Sequence, residues 1–153
     1  MPAPARDPES DIRQLTVNYA LGTDAIGRHD RDGGVAIYRR TFTADAEIMV
    51  AGAPDTKRIG PEAWADYVDG HFRAQDYRET QHLMGTINVT IDASGTKAAM
   101  SSYLQAAHIT TDRKRVYMVL GTYIDEVAET PDGWRITKRT LHPATAWNVY
   151  PGT

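Results

Sequence analysis

The sequence predicts an α+β domain: three N-terminal helices packed on a strongly curved, mixed or antiparallel sheet that forms a cone around one cavity. Three observations predict it. Helical periodicity and helix-start signals fill the first half of the chain. After residue 79 the character changes to long strands separated by Gly, Pro, Asp and Ser turns. Helices first and an antiparallel meander after is an α+β order. The 153 residues, 41% hydrophobic and 24% charged, suit one domain with a real core.

Asp7-Pro8-Glu9 starts the first helix, with Asp as N-cap, Pro in the first turn and an acid near the positive end of the dipole. The helix is expected over about 8–28. Ile12, Leu15, Tyr19 and Ile26 form one apolar stripe, and Val17, Ala20 and Leu21 lead a second that ends at Asp24. Two stripes imply cover on two sides, and a carboxylate at the end of one is a misfit. "RHDRDGG" breaks the helix, "VAIYRRTF" reads as a short second helix, "AEIMVA" as a short strand and "GAPDTKRIG" as a loop. Pro61 opens a third helix with Trp64, Tyr67, Val68 and Phe72 on one side. Four strands follow: "TQHLMGTINVTID", "KAAMSSYLQAAHI", "RVYMVLGTYIDEVAE" and "WRITKRTLHPATAW". Residues 1–8 read as a flexible tail and 9–150 as a single domain.

The net charge of −3, with Lys and Arg scattered, argues against nucleic acid as a partner. Cysteine is absent, which excludes a disulfide framework, a thiolate metal site and a cysteine nucleophile. No apolar run approaches a membrane span, and "MPAPARDPES" lacks the apolar core of a signal peptide, so a cytoplasmic protein is expected.

Several phrases resemble the SnoaL-like, scytalone dehydratase-like branch of the nuclear transport factor 2-like superfamily. They are "YALGTD" in helix 1, "RRTFTADAEI" into the first strand, "TQHLMG", "AAH" and "PDGWRITKR", spread over residues 12–147. The resemblance implies a cone fold, chemistry without metal or cofactor, and dehydratase-like elimination catalysed by acid and base side chains. By motif it places a helix-1 aspartate, Asp24, and two sheet histidines, His82 and His108, in the cone. Bile-acid dehydratases of the same branch pair a helix-1 tyrosine with an aspartate five residues on, as Tyr19 and Asp24 are spaced. The chain departs from scytalone dehydratase where that enzyme carries tyrosines before the aspartate and in the first strand. Thr23 and Ile48-Met49-Val50 stand there instead. Gly121 and Tyr123 replace its serine and asparagine on the penultimate strand.

His82 begins a strand on the face opposite Ile87, Val89 and Ile91, with Met84 and Thr86 beside it. Asp24 pairs as well with Arg28, four residues on, as with a cavity group. His108, with Asp24 near, would hold a fixed tautomer and its charged form. The expected roles are His82 as base, His108 charged and held by Asp24 as acid, and Tyr19 polarising a carbonyl oxygen. On an ideal helix Tyr19 and Asp24 lie about 140° apart, so sharing one cavity needs a helix across its mouth. Arg139 could anchor an acidic or phenolate group. Met49, Met100, Leu104, Val119 and Tyr123 could wall the cavity, with Trp64 and Tyr67 as core or aromatic lining. His29, His71 and His142 read as structural or exposed.

The expected activity is a lyase acting on a small hydrophobic hydroxylated carbonyl, aromatic, polyketide or steroid-like compound. A ketosteroid-type isomerase would need a carboxylate just after the first strand, where residues 46–54 offer only Glu47, early. A limonene-type epoxide hydrolase needs an Arg-x-Asp element that "SSYLQAAH" lacks. A non-catalytic module that binds a hydrophobic ligand is the rival from another class. A homodimer or higher homo-oligomer through the sheet is expected, with the face of Tyr117, Val119 and Tyr123 as candidate.

Overall fold

The computed structural model describes residues 7–152. Most of the tail expected over 1–8 therefore lies outside the described residues, and its last two residues open a helix. Asp7 caps α1 (Pro8–Gly27), its Oδ1 accepting the Glu9 N–H at 3.2 Å. α2 (Arg31–Thr41) begins earlier than expected because the Asp30 carboxylate accepts the Gly33 N–H and caps it. β1 (Phe42–Val50) follows without a break.

The stretch read as a loop contains a strand, β2 (Ala53–Ile59). It pairs with β1 in a hairpin, with Glu47 opposite Ile59 and Val50 opposite Ala53. The sequence hid it because it is a sheet-edge strand of polar residues with no apolar alternation. Its fixing contacts are polar: Thr56 Oγ1 accepts the Val50 N–H at 2.9 Å, and Lys57 meets Glu47 at 2.8 Å. α3 (Pro61–Ala74) then leads to β3 (Tyr77–Ile91), β4 (Lys97–Thr110), β5 (Val116–Thr130) and β6 (Gly133–Val149).

The six strands lie in the order β2-β1-β6-β5-β4-β3. β1 runs parallel to β6, and the other neighbours are antiparallel, so the sheet is mixed. It does not close: β2 and β3 are its two edges. The three helices cover the inner face. α1 contributes Ile12, Leu15, Tyr19 and Ile26 to the core, α3 contributes Trp64, Val68 and Phe72, and the sheet contributes Phe42, Ile48, Met100, Leu104, Ala106 and Ile136. The second apolar stripe of α1 is not covered among the described residues, because Val17 and Leu21 are 38% and 55% exposed. The buried second side is made of small residues instead: Thr16, Ala20, Thr23 and Gly27.

A bulge in β3 corrects the reading of its faces. Gly85 lies opposite Tyr103 and Asn88 opposite Ser101, so β3 spends one residue more than β4 over this interval. Thr86 sits in the bulge at φ 45°. Before it the even-numbered side chains of His82 and Met84 turn inward, and after it the odd-numbered Ile87, Val89 and Ile91 do. His82 therefore shares the inner face with the apolar residues that the alternation set against it. No helix among the described residues is long and apolar enough to cross a membrane.

Candidate active site

The close approach of α1 to β3 builds the first half of the site. Gly27 makes this approach possible, since a Cβ there would collide with the Thr80 hydroxyl. One turn earlier Asp24 reaches the same strand. Its Oδ1 accepts from His82 Nδ1 at 2.7 Å and from the Thr80 hydroxyl at 2.9 Å, and its Oδ2 accepts the His82 backbone N–H at 3.2 Å. The two side chains are 13% and 5% exposed, so little water competes. A carboxylate can only accept, so His82 Nδ1 carries a proton towards it and Nε2 keeps its lone pair when the ring is neutral. Asp24 thus faces β3, and Arg28 does not pair with it.

His108 lies on the adjacent strand β4, with its ring 5.4 Å from that of His82 and nearly perpendicular to it. Its Nδ1 bonds the Tyr117 carbonyl across the β4–β5 pair at 3.1 Å. Burial, followed by the neighbouring His82, pushes its pKa down to about 4. This overturns the expectation that Asp24 holds His108 as a charged acid. The aspartate takes the nearer histidine, and the farther one is kept neutral by desolvation.

A cavity of about 160 Å³ lies under α1 and α3. Tyr19, Trp64, Tyr67, Leu104, Val119 and Tyr123 line it as expected, and His108 forms part of its wall with His71 and Tyr117. His82 stands just behind the His108 ring. Tyr19 reaches the cavity because α1 lies across the sheet, with one side towards the cavity and the other on β3. The Tyr19 oxygen accepts from Trp64 Nε1 at 3.2 Å and from the Tyr123 hydroxyl at 3.4 Å. Two donors on one phenol oxygen leave its own proton free to be given to a ligand.

Three expected contacts are placed elsewhere. Arg139 is fully buried behind the cavity, where its Nε and Nη2 hold both Asp125 oxygens at 2.7 Å. Its guanidinium lies 4.3 Å from the ring centres of both Tyr19 and Tyr123. It packs against those two phenols and is not among the residues that line the cavity. Met49 points away from the cavity because strand alternation gives the inner face to Ile48 on one side of the sequence step and Val50 lines the cavity. Met100 has the right face but is packed in the core, away from the cavity lining.

Thr80, Tyr117 and Gly27 were missed as supports. Thr80 was recoverable, since it lies two residues before His82 and shares its strand face. The carbonyl of Tyr117 and the missing Cβ of Gly27 leave no chemical signature in a sequence. Tyr117, Val119 and Tyr123 line the cavity, so they are not an outer association face. The isomerase-type carboxylate is also displaced: Glu47 is held by Lys57 in the β1–β2 hairpin. Among the described residues no group of three or more His, Asp or Glu side chains could hold a metal ion.

The geometry has counterparts in known proteins. An uncharacterized protein of Mycobacterium tuberculosis is 28% identical over 131 residues, which cover 84% of this chain and 80% of that one. The structure of a Novosphingobium aromaticivorans protein provisionally named a scytalone dehydratase superposes with a TM-score of 0.73 at 21% identity, over 95% of this chain and 89% of that one. The hexachlorocyclohexane dehydrochlorinase of Novosphingobium barchaimii gives 0.74 at 14% identity, over 94% and 91%. These two likenesses establish the shared nuclear transport factor 2-like fold. Residues 6–140 match the SnoaL-like domain, and the chain belongs to that family.

Proposed function

We propose that the protein is a lyase that moves a proton next to a carbonyl, most specifically a dehydratase. The observation that carries this reading is the buried Asp24–His82 pair beside an aromatic cavity. His82 Nε2 takes a proton from the carbon next to the carbonyl. The electron pair moves onto the carbonyl oxygen, which the free Tyr19 proton stabilises. The enolate then reforms the carbonyl and expels hydroxide from the β-carbon. That oxygen takes the proton held by the His82 imidazolium, so water leaves and the base is restored. His108 remains neutral and offers a polar contact to the substrate.

His108 lines the cavity and His82 does not, its ring centre lying 5.4 Å from that of His108. Catalytic contacts of this kind are often long without substrate and tighten when it binds. A cavity of about 150 Å³ lined by apolar side chains holds benzene. The 160 Å³ here suits a single six-membered ring, and a four-ring steroid would exceed it. The names of the structural neighbours, a dehydratase and a dehydrochlorinase, agree with elimination as the reaction class.

The test is deuterium uptake in heavy water at the α-carbon of small cyclic β-hydroxyketones, together with loss of water from them. Wild type is expected to do both, and His82→Ala to lose at least ~10²-fold of the exchange. Equal exchange in the two proteins would remove His82 from the reaction.

Self-association belongs to the same proposal, through the outer sheet face. Leu83, Tyr103, Ile124 and Trp147 are 63%, 57%, 47% and 42% exposed there, and a second copy of the chain would cover them.

A further inference from the structure

The cavity shares three wall residues, His71, Tyr77 and Tyr117, with a second, more polar depression of about 270 Å³ completed by Gln75, Arg115 and Asn148. The two depressions therefore adjoin at the end of α3. Arg115 lines the outer one. Its Nη2 donates to the Gln75 carbonyl at 3.1 Å, and its guanidinium carbon is 5.8 Å from the Tyr77 ring centre. The Tyr77 ring is in turn 5.1 Å from the His108 ring, so one aromatic ring separates the cation from the imidazole.

Arg115 is half-buried, and among the described residues no carboxylate lies within ion-pair distance of it. The nearest acids in sequence are committed to turns. Asp76 accepts from the Thr111 hydroxyl, and Asp112 accepts from the Thr110 hydroxyl and the Lys114 N–H. A guanidinium without a counter-charge, in a polar depression that adjoins an aromatic cavity, is a receptor for an anion.

We infer that the two adjoining depressions together bind amphiphilic organic anions, with a single ring seated among Tyr19, Trp64 and His108 and a carboxylate or comparable anionic group on Arg115. Asn148 and Gln75 border the anion and are neutral, so they add no competing charge. This deepens the lyase reading by naming its substrate class: a cyclic or aromatic carbonyl compound bearing an acidic side arm. It rests on that reading only for the word substrate.

The experiment is equilibrium binding of 3-phenylpropanoate and of its uncharged amide, read by quenching of the Trp64 and tyrosine fluorescence. Wild type should bind the acid roughly tenfold more tightly than the amide, the worth of one charge-assisted contact. Arg115→Gln should lose that preference while keeping the amide's affinity, and Arg115→Lys should keep part of it. Equal affinities for acid and amide in wild type, a preference that survives Arg115→Gln, or binding of neither compound would each overturn the inference. His82→Ala should retain the acid preference. No exchange in wild type, or equal exchange in wild type and His82→Ala, with the acid preference intact would therefore refute the lyase reading alone, and His82-dependent exchange without an acid preference would refute the anion site alone.

Discussion

Lowering the pH from 7 to 5 should cost the fold about 2 kcal/mol through His108 alone. An unfolded histidine titrates near 6.5, whereas the folded His108 is pushed down to about 4. The folded state holds the neutral ring, so this contribution is fully present above the unfolded value. It fades as pH falls from 6.5 and is gone below about 4. One unit corresponds to about 1.36 kcal/mol, which gives about 3 kcal/mol in all and about 2 kcal/mol by pH 5. The conversion is fair because the residue is only 7% exposed. The assay is urea unfolding of wild type and His108→Gln at both pH values. Other groups titrate in both proteins, so the quantity of interest is the difference between the two pH-dependent losses. Wild type should lose about 2 kcal/mol more than the variant. Equal losses would refute the claim that the fold keeps this imidazole neutral.

Further predictions follow from the same contacts. In His82→Ala the His108 pKa, followed by proton NMR, should rise, because the neighbouring ring no longer opposes its charging. Gly27→Ala should destabilise by about 1–3 kcal/mol, as expected where a core is overfilled, and Gly27→Ala with Thr80→Ala should cost less than the sum of the singles in a double-mutant cycle. Asp125→Ala should cost about 3–5 kcal/mol by chemical denaturation, because it strands the buried Arg139 charge. Deleting Thr86 removes the extra residue of β3. It should turn either His82 or the Ile87-Val89-Ile91 set outward, read as loss of the His82 side-chain proton signal or as a collapse in stability.

Much of this was legible in the sequence because the signals were local. The Asp7 cap, the Pro61 helix start and the Gly-rich turns each act within a few residues. The family motifs brought Asp24, His82 and His108 to one region, and the structure places them on α1, β3 and β4 with their side chains together. What failed to show was non-local. The bulge at Thr86 reverses a period-2 pattern, so the alternation gave the wrong face for His82. Strand β2 is held by Thr56 and Lys57 contacts to β1, not by an apolar pattern. Which histidine Asp24 takes depends on how closely α1 approaches β3, and Gly27 decides that without any chemistry of its own. Arg139 looked like a ligand-binding cation because its partner Asp125 lies fourteen residues away and opposite it on the neighbouring strand.

The most direct test is the nitrogen-15 NMR spectrum of the His82 imidazole at pH 8 in wild type and Asp24→Asn. A proton on Nδ1 with a bare Nε2 in wild type, and loss of that single tautomer in the variant, is the predicted result. A wild-type ring protonated on Nε2, or a tautomer indifferent to Asp24, would contradict the claim that the aspartate presents His82 as a base.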